Sequence, residues 1–267
     1  MPWPWNKATG TSLMASESSR WKSLMLCFAR TYMVAGAFNT RGMQNVGLAF
    51  IMNPGLKAMY RDSGQLSDAR KRYLKHYNTH FFWTPLLVGV FLSVEDKIAK
   101  GLFSPTVLDN VKNTTAYTLS AIGDSVFGGS LLVFWSLSTA CFIVSDLIGA
   151  AMVWAVLWFI ALQVFKLTTF IIGFREGLKF LVRLRQWDLI NWGRRLKLVN
   201  ALLLVLLFSM IWPEHFSGVG LIPTAGVLAL VSWAVSRALV ARELVAILVL
   251  TVYLAWPLIS QLCLAVF

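Results

Sequence analysis

Two uncharged apolar stretches lie end to end at residues 125–145 and 147–165, with Asp146 the single charge between them. A helix needs about 20 apolar residues to cross a bilayer, so this pair is expected to cross, turn and cross back. A helix that is apolar all round belongs either in a large core or in lipid. Composition decides for lipid: 57% of the 267 residues are hydrophobic, 13% are charged and the mean hydropathy is +0.66. A soluble domain carries about 25% charged residues. This chain has too little polar side chain to cover a globule of its size.

Further apolar runs occupy 216–236 and 244–267. A shorter one at 198–213 begins among basic residues whose stems can snorkel. The run 81–94 has 14 uncharged residues and contains Pro85 and Gly89, which predicts a re-entrant hairpin rather than a span. The fold class expected is thus an all-α integral membrane protein, with N-terminal interfacial amphipathic helices, re-entrant segments and about five transmembrane helices. Four regions follow: 1–80 amphipathic, 81–165 with the re-entrant segment and first transmembrane pair, 166–197 a basic loop, and 198–267 the last spans.

The N-terminal region has Trp21, Leu24, Phe28 and Tyr32 at helical spacing, which fits an interfacial helix or a soluble-core helix equally. A second helix is expected to start at the N-cap Ser67, with Arg70, Lys71, Arg72 and Lys75 forming a solvated face. Met1-Pro2-Trp3-Pro4-Trp5 lacks a basic stretch followed by an apolar core and is not expected to be a cleaved signal. Cys27, Cys141 and Cys263 lack metal-ligand spacing and read as small hydrophobes.

The net charge of +12 raises nucleic acid as a partner, but the charge lies between apolar runs, as in cytoplasmic loops. From Lys166 to Lys197 eight Lys and Arg residues stand against Glu176 and Asp188, so this loop is expected in the cytoplasm. The turns near Asp146 and 213–221 are expected outside.

Two polar clusters near membrane depth stand out, because such residues are costly there. Asn78-Thr79-His80 precedes the short apolar run and offers donors and acceptors that match sugar hydroxyls. A nearby Phe81, Phe82 or Trp83 would pack on the sugar ring. A plainer account makes Asn78 and Thr79 a helix-terminating cap. Gly123-Asp124-Ser125 opens the first full span as a ligand site, as its N-cap, or as both. No nucleophile–base pair, phosphate loop or metal set is legible, so neither catalysis nor a cofactor is expected.

Six segments in order resemble one family. Phe38-Asn39-Thr40-Arg41-Gly42-Met43-Gln44-Asn45-Val46-Gly47 is similar to its N-terminal signature, and Asn53-Pro54-Gly55 through Tyr60 to the segment that follows. Arg72-Tyr73 through Asn78-Thr79-His80 resembles its basic helix ending in Asn-Thr. Val94-Glu95-Asp96-Lys97-Ile98-Ala99-Lys100-Gly101 resembles its acidic pair followed by Ala-X-Gly. Ala121-Ile122-Gly123-Asp124-Ser125 resembles its Gly-Asp segment, and Gly173-Phe174-Arg175-Glu176-Gly177 a later Gly-Tyr-X-X-Gly. The family is the IID component of the mannose/fructose/sorbose phosphotransferase (PTS) sugar permeases, and the resemblance covers residues 28 to about 180.

The resemblance implies a IIC membrane partner forming the sugar pathway, and soluble IIA and IIB domains that carry the phosphoryl group. It implies substrate contact through Asn78, Thr79, His80, Gly123, Asp124 and Ser125, with Gln44 from the first signature. Departures at Phe81-Phe82, 115–121 and 128–133 flank these residues and leave the sugar open. A divergent scaffold that stabilises a IIC subunit without touching sugar is the competing expectation.

Overall fold

The computed structural model describes residues 10–211 and scattered positions between 226 and 255. The chain divides into two units, Met1–Met210 and Ile211–Phe267; the following concerns the first. The expected spans at 216–236 and 244–267, and Cys263, lie largely outside the described residues. Among those residues the fold is helical, with two isolated β-bridges at Asn39–Met43 and Met43–Tyr77.

The first helices are α1 (Gly10–Arg30), a 3₁₀ turn (Thr31–Ala37), α2 (Asn45–Met59) and α3 (Ser63–Tyr73). On α1, Leu24 and Cys27 are fully inside, Phe28 packs 5.4 Å from Phe170 and Trp21 meets Phe174 at 6.4 Å. The apolar face of α1 therefore covers protein. Burial pushes the Cys27 thiol up to about 11, consistent with a small hydrophobe. Helix α3 starts four residues earlier than expected, because Asp62, in extended backbone, accepts from Gln65 N–H at 2.8 Å and caps it.

The expected solvated face holds for Lys71 and Lys75, which are exposed, but not for Arg72. Arg72 points inward to Glu95, whose carboxylate is fully buried, with Nη2 2.8 Å from Oε2 and 3.0 Å from Oε1. Tyr60 and Tyr73 donate to the same carboxylate at 2.5 and 2.9 Å. Burial first and Glu95 second push both phenols up, so both remain donors. Lys112 holds the Arg72 carbonyl at 2.7 Å. Arg70 bonds Asn53 at 2.9 Å, while Lys71 and Lys75 make outer pairs with Asp68 and Asp109.

Glu95 belongs to α4 (Thr84–Ala99), an unbroken helix whose residues 84–95 are all buried. The run 81–94 contains no hairpin turn. Pro85 stands in the first turn, where its missing N–H costs nothing. Gly89 is there for close approach: a Cβ on it would lie 2.3 Å from the Phe170 carbonyl oxygen. Reciprocally, a Cβ on Gly173 would lie 2.7 Å from that of Leu86. These glycines seat α4 on α7 (Ile148–Glu176), the most extensive helix pairing in the unit. The helix ends at Gly101, φ 72°, where Gly101 and Leu102 N–H groups bond the Ile98 and Lys97 carbonyls.

Residues 105–144 form one continuous helix: α5 (Pro105–Gly123), a π-helical stretch (Asp124–Leu131) and α6 (Leu132–Val144). Its cap is Ser104, so Gly123-Asp124-Ser125 does not open a span but lies in mid-helix. At about 1.5 Å per residue it is roughly 60 Å long, twice the hydrocarbon thickness. It and α7 are long and apolar enough to cross a membrane. Leu132, Ile143, Met152, Leu157, Phe159 and Ile160 all expose more than half their surface, as a lipid-facing pair requires. Asp146, φ 58°, closes the turn between them, with Leu147 N–H on the Phe142 carbonyl.

Residues 166–197, expected as a loop, are mostly helical. They comprise the end of α7, a break at Gly177 (φ 58°), α8 (Leu178–Leu184), a 3₁₀ turn (Arg185–Trp187) and the start of α9 (Leu189–Ile211). The shorter run at 198–213 thus does begin among the basic residues.

Replacing Arg72 with Leu leaves the Glu95 carboxylate buried without its cation, which is expected to cost about 3–5 kcal/mol. The double variant Arg72→Leu, Glu95→Leu should recover much of that loss. Thermal unfolding of the detergent-purified chain, followed by size-exclusion, checks both.

Candidate functional site

The site is built on a clasp. The side chain of Asn39 accepts from Gly42 N–H at 2.8 Å and donates to Asn45 Oδ1 at 2.9 Å, tightening the loop that ends at Gln44. Backbone bonds then join Gln44 to Tyr77 (2.9 Å) and Tyr77 to Gly42 (3.2 Å). The amide of Gln44, nearly fully buried, completes the clasp: Nε2 donates to the Thr79 carbonyl at 2.9 Å and Oε1 accepts from Thr79 N–H at 3.2 Å. One glutamine thus pairs the backbone of residue 79 as a neighbouring strand would. Thr79 is itself 2% exposed, so it lies inside the wall rather than on the surface.

His80 follows. Its Nδ1 accepts from Phe82 N–H at 3.3 Å, which leaves Nε2 as the donor. The ring stacks on Phe127 at 5.2 Å and meets Phe82 at 5.3 Å. Gly123 lies directly beneath: a Cβ there would come within 2.3 Å of His80 Cβ. The two polar clusters, over 40 residues apart in sequence, therefore meet in space, because His80 packs on Gly123 and the charge of Asp124 acts on the imidazole. Burial still outweighs Asp124 and lowers the His80 pKa below 6.5.

Asp124 and Ser125 are exposed, and neither side chain has a hydrogen-bond partner among the described residues. Asn78 is half-buried and likewise unpaired. The π-helical geometry around Asp124 leaves Ser130 reaching back to the Ser125 carbonyl (2.9 Å) and across to that of Gly193 (3.2 Å). Asn200 donates to the Ser130 carbonyl at 2.9 Å. Runs of i→i+5 bonding are rare and concentrate at functional sites.

Several residues went unread in the sequence. Phe127 and Phe165 join Trp83, expected on a sugar ring but fully buried, in an aromatic cluster behind His80, with ring centroids 5.1 to 5.6 Å apart. Lys166 lies inside the second candidate span, its ammonium 4.3 Å over Tyr32 and 5.1 Å over Phe82, with no acidic partner among the described residues. A lone lysine within an apolar run is a signal that can be read, but assignment to a basic loop hid it. Gln163, in the same span, accepts from the Tyr32 hydroxyl. Among the described residues seven buried side-chain polar atoms have no partner, and four of them are close together in sequence: Tyr77 Oη, Thr79 Oγ1, Trp83 Nε1 and Thr84 Oγ1. They gather at the N-terminus of α4, which has no side-chain cap.

Because folding disfavours protonation of His80, the unfolded chain takes up more protons between pH 6.5 and the lowered native value. Stability should therefore be complete above about pH 6.5 and fall below it. His80→Phe keeps the ring stack and should flatten that fall, which melting temperatures at pH 7.5 and 5.5 would record.

Comparison with known proteins closes the description. The profile of the PTS system mannose/fructose/sorbose family IID component matches residues 20–209. The fructose permease IID component of Bacillus subtilis is 25% identical over 158 residues, covering 58% of this chain and 56% of that one. The mannose-specific EIID component of Escherichia coli K12 is 27% identical over 153 residues, covering 56% and 52%. The chain thus spans about half the length of the curated relatives it matches. Two solved structures share the fold. One is described as a membrane protein (TM-score 0.72, 18% identity, covering 88% of this chain and 95% of that one). The other is the mannose transporter ManYZ in complex with microcin E492 (TM-score 0.53, 19%, covering 88% and 94%). With a family profile matched over most of its length, the chain belongs to the IID components of the mannose/fructose/sorbose PTS family.

Proposed function

We propose that the chain is the IID half of a sugar-translocating membrane pair, completed by a IIC subunit, with soluble IIA and IIB domains phosphorylating the imported sugar. The single observation that supports a sugar-contact role is the meeting of His80 with Gly123 and Asp124, which brings the segment that carries Asn78 to the one that carries the unpaired Asp124 and Ser125. An exposed carboxylate in mid-helix is costly in lipid, so it needs a polar occupant, a wet cavity or a partner chain.

In this reading Asn78, Asp124 and the His80 Nε2–H address sugar hydroxyls. Gln44, Thr79 and Gly123 hold them in place, and Ser125 adds a hydroxyl beside Asp124. Phosphoryl transfer stays with the soluble partners, and this chain contributes no catalytic residue. The basic stretch beyond the Gly177 break, residues 178–197, faces the cytoplasm of a bacterial inner membrane. The buried positions of Gln44 and Thr79 equally favour a scaffold that shapes a IIC subunit without touching sugar.

Two variants separate these readings. Charge-assisted hydrogen bonds are worth about 1.5–3 kcal/mol each. Asp124→Asn and Asn78→Ala are therefore expected to weaken sugar binding by about tenfold to a hundredfold, while the complex with IIC still copurifies. Unchanged affinity in an intact complex, or loss of the complex itself, would favour the scaffold. For orientation, a cysteine at Gln186 in an otherwise unlabelled background should react with a membrane-impermeant maleimide only after permeabilisation.

A further inference from the structure

A cavity opens beside the α8–α9 corner and reaches as far as Ile122 on the long helix. Its volume is about 470 Å³, and it is bounded by the α5 face carrying Thr114, Thr118 and Leu119 and by Leu181, Leu184 and Arg185 of the α8–α9 corner. The walls are mostly aliphatic. Arg185, exposed at the rim, has no carboxylate or hydrogen-bond partner among the described residues. Thr114 opposite also keeps its hydroxyl free, whereas Thr118 donates to the Thr114 carbonyl at 2.9 Å.

Two elements independently place this cavity at the boundary between water and hydrocarbon. On the long helix, Asp109, Asn110, Lys112 and Asn113 precede it, and beyond Asp124 the helix is uncharged to Val144. On the other wall, the chain turns at 185–188 between two helices that run away from it. Tyr117, Trp187 and Trp192 are all exposed at this level, which is where aromatic residues gather at membrane interfaces. Trp187 is braced edge-on by Phe180 at 5.6 Å, and Arg195 lies 5.3 Å over Trp192.

The charge around the rim is lopsided. Arg183 is paired with Glu176, but Lys179, Arg185, Arg194, Arg195 and Lys197 have no acidic partner among the described residues. The one carboxylate lining the cavity, Asp188, is turned onto Asn191, whose Nδ2 lies 2.9 and 2.8 Å from its two oxygens. An apolar cleft open to lipid, with a free guanidinium and a free hydroxyl at headgroup level, has the form of a site for an anionic lipid.

We propose that this cavity binds one anionic phospholipid, its phosphodiester on Arg185 and Thr114 and one acyl chain along Leu119, Leu181 and Leu184. A zwitterionic lipid has the same phosphodiester and chains, but its ammonium meets the surrounding cations. Preference for net negative charge is thus the signature of the site.

The experiment uses the full chain, purified with whatever copurifies from its membrane. It is titrated with dioleoyl-phosphatidylglycerol or dioleoyl-phosphatidylcholine and read by native mass spectrometry. One phosphatidylglycerol should be retained about tenfold more strongly than phosphatidylcholine. Arg185→Gln should abolish that preference, and Leu181→Trp, which fills the cleft, should remove the bound lipid. Lys57→Gln, a cation on α2 outside the cavity, should change nothing. Circular dichroism and size-exclusion confirm that each variant is folded. Equal retention of the two lipids, or an unchanged preference in folded Arg185→Gln, overturns the proposal. So does displacement by millimolar inorganic phosphate, or a benzophenone at Thr118 that crosslinks in native membranes to a protein rather than to lipid.

Discussion

One buried carboxylate organises the N-terminal half of this protein. Glu95 is fully excluded from solvent and receives hydrogen bonds from Tyr60, Arg72 and Tyr73. An ion is tolerable inside a protein only when its lone pairs are filled, and here three donors from two segments fill them. Helix α4 cannot shift along α2 and α3 without emptying that shell. The position of Glu95 therefore fixes how far α4 reaches, and hence where its N-terminal end, with His80 and Trp83 before it, comes to lie.

From that anchor the packing continues through backbone rather than side chains. Gly89 and Gly173 bring α4 and α7 within contact of each other's carbonyls, and Gly123 does the same for His80. Gly47, a Cβ on which would lie 2.2 Å from the Val34 carbonyl oxygen, seats α2 under the first 3₁₀ turn. Lipid gives apolar helices little reason to pair, so close approach and dispersion hold such contacts. This explains why glycine-bearing segments punctuate the chain at intervals that composition alone does not explain.

How much of this was legible depended on the physics involved. The apolar pair on either side of Asp146 reads directly from length and charge. The family resemblance rested on segments whose residues prove to be mutual partners: Tyr60, Arg72-Tyr73 and Glu95 come from three of them. What misled was local grammar without tertiary context. Pro85 and Gly89 looked like helix breakers, yet one sits in a permissive first turn and the other at a crossing. Asp124 looked like a cap, because nothing in a single sequence marks a continuous helix that changes its hydrogen-bond pattern partway. Arg72 looked solvated because its partner lies 23 residues further on. For the candidate site, the residue types could be read but not their juxtaposition, which depends on the Gln44 clasp.

The π-helical stretch from Asp124 to Leu131 has a geometric consequence for the long helix. Each shift from i→i+4 to i→i+5 bonding absorbs an extra residue, and one residue is about 100° of rotation in an α-helix. The halves before and after it therefore obey two different helical wheels. The first half turns Gly123 toward His80 and Trp83, whereas the second turns Phe134 and Ser138 toward Trp154 on α7. A single rod thus serves two neighbours whose directions do not align. Its phase, rather than its bend, is what the insertion sets.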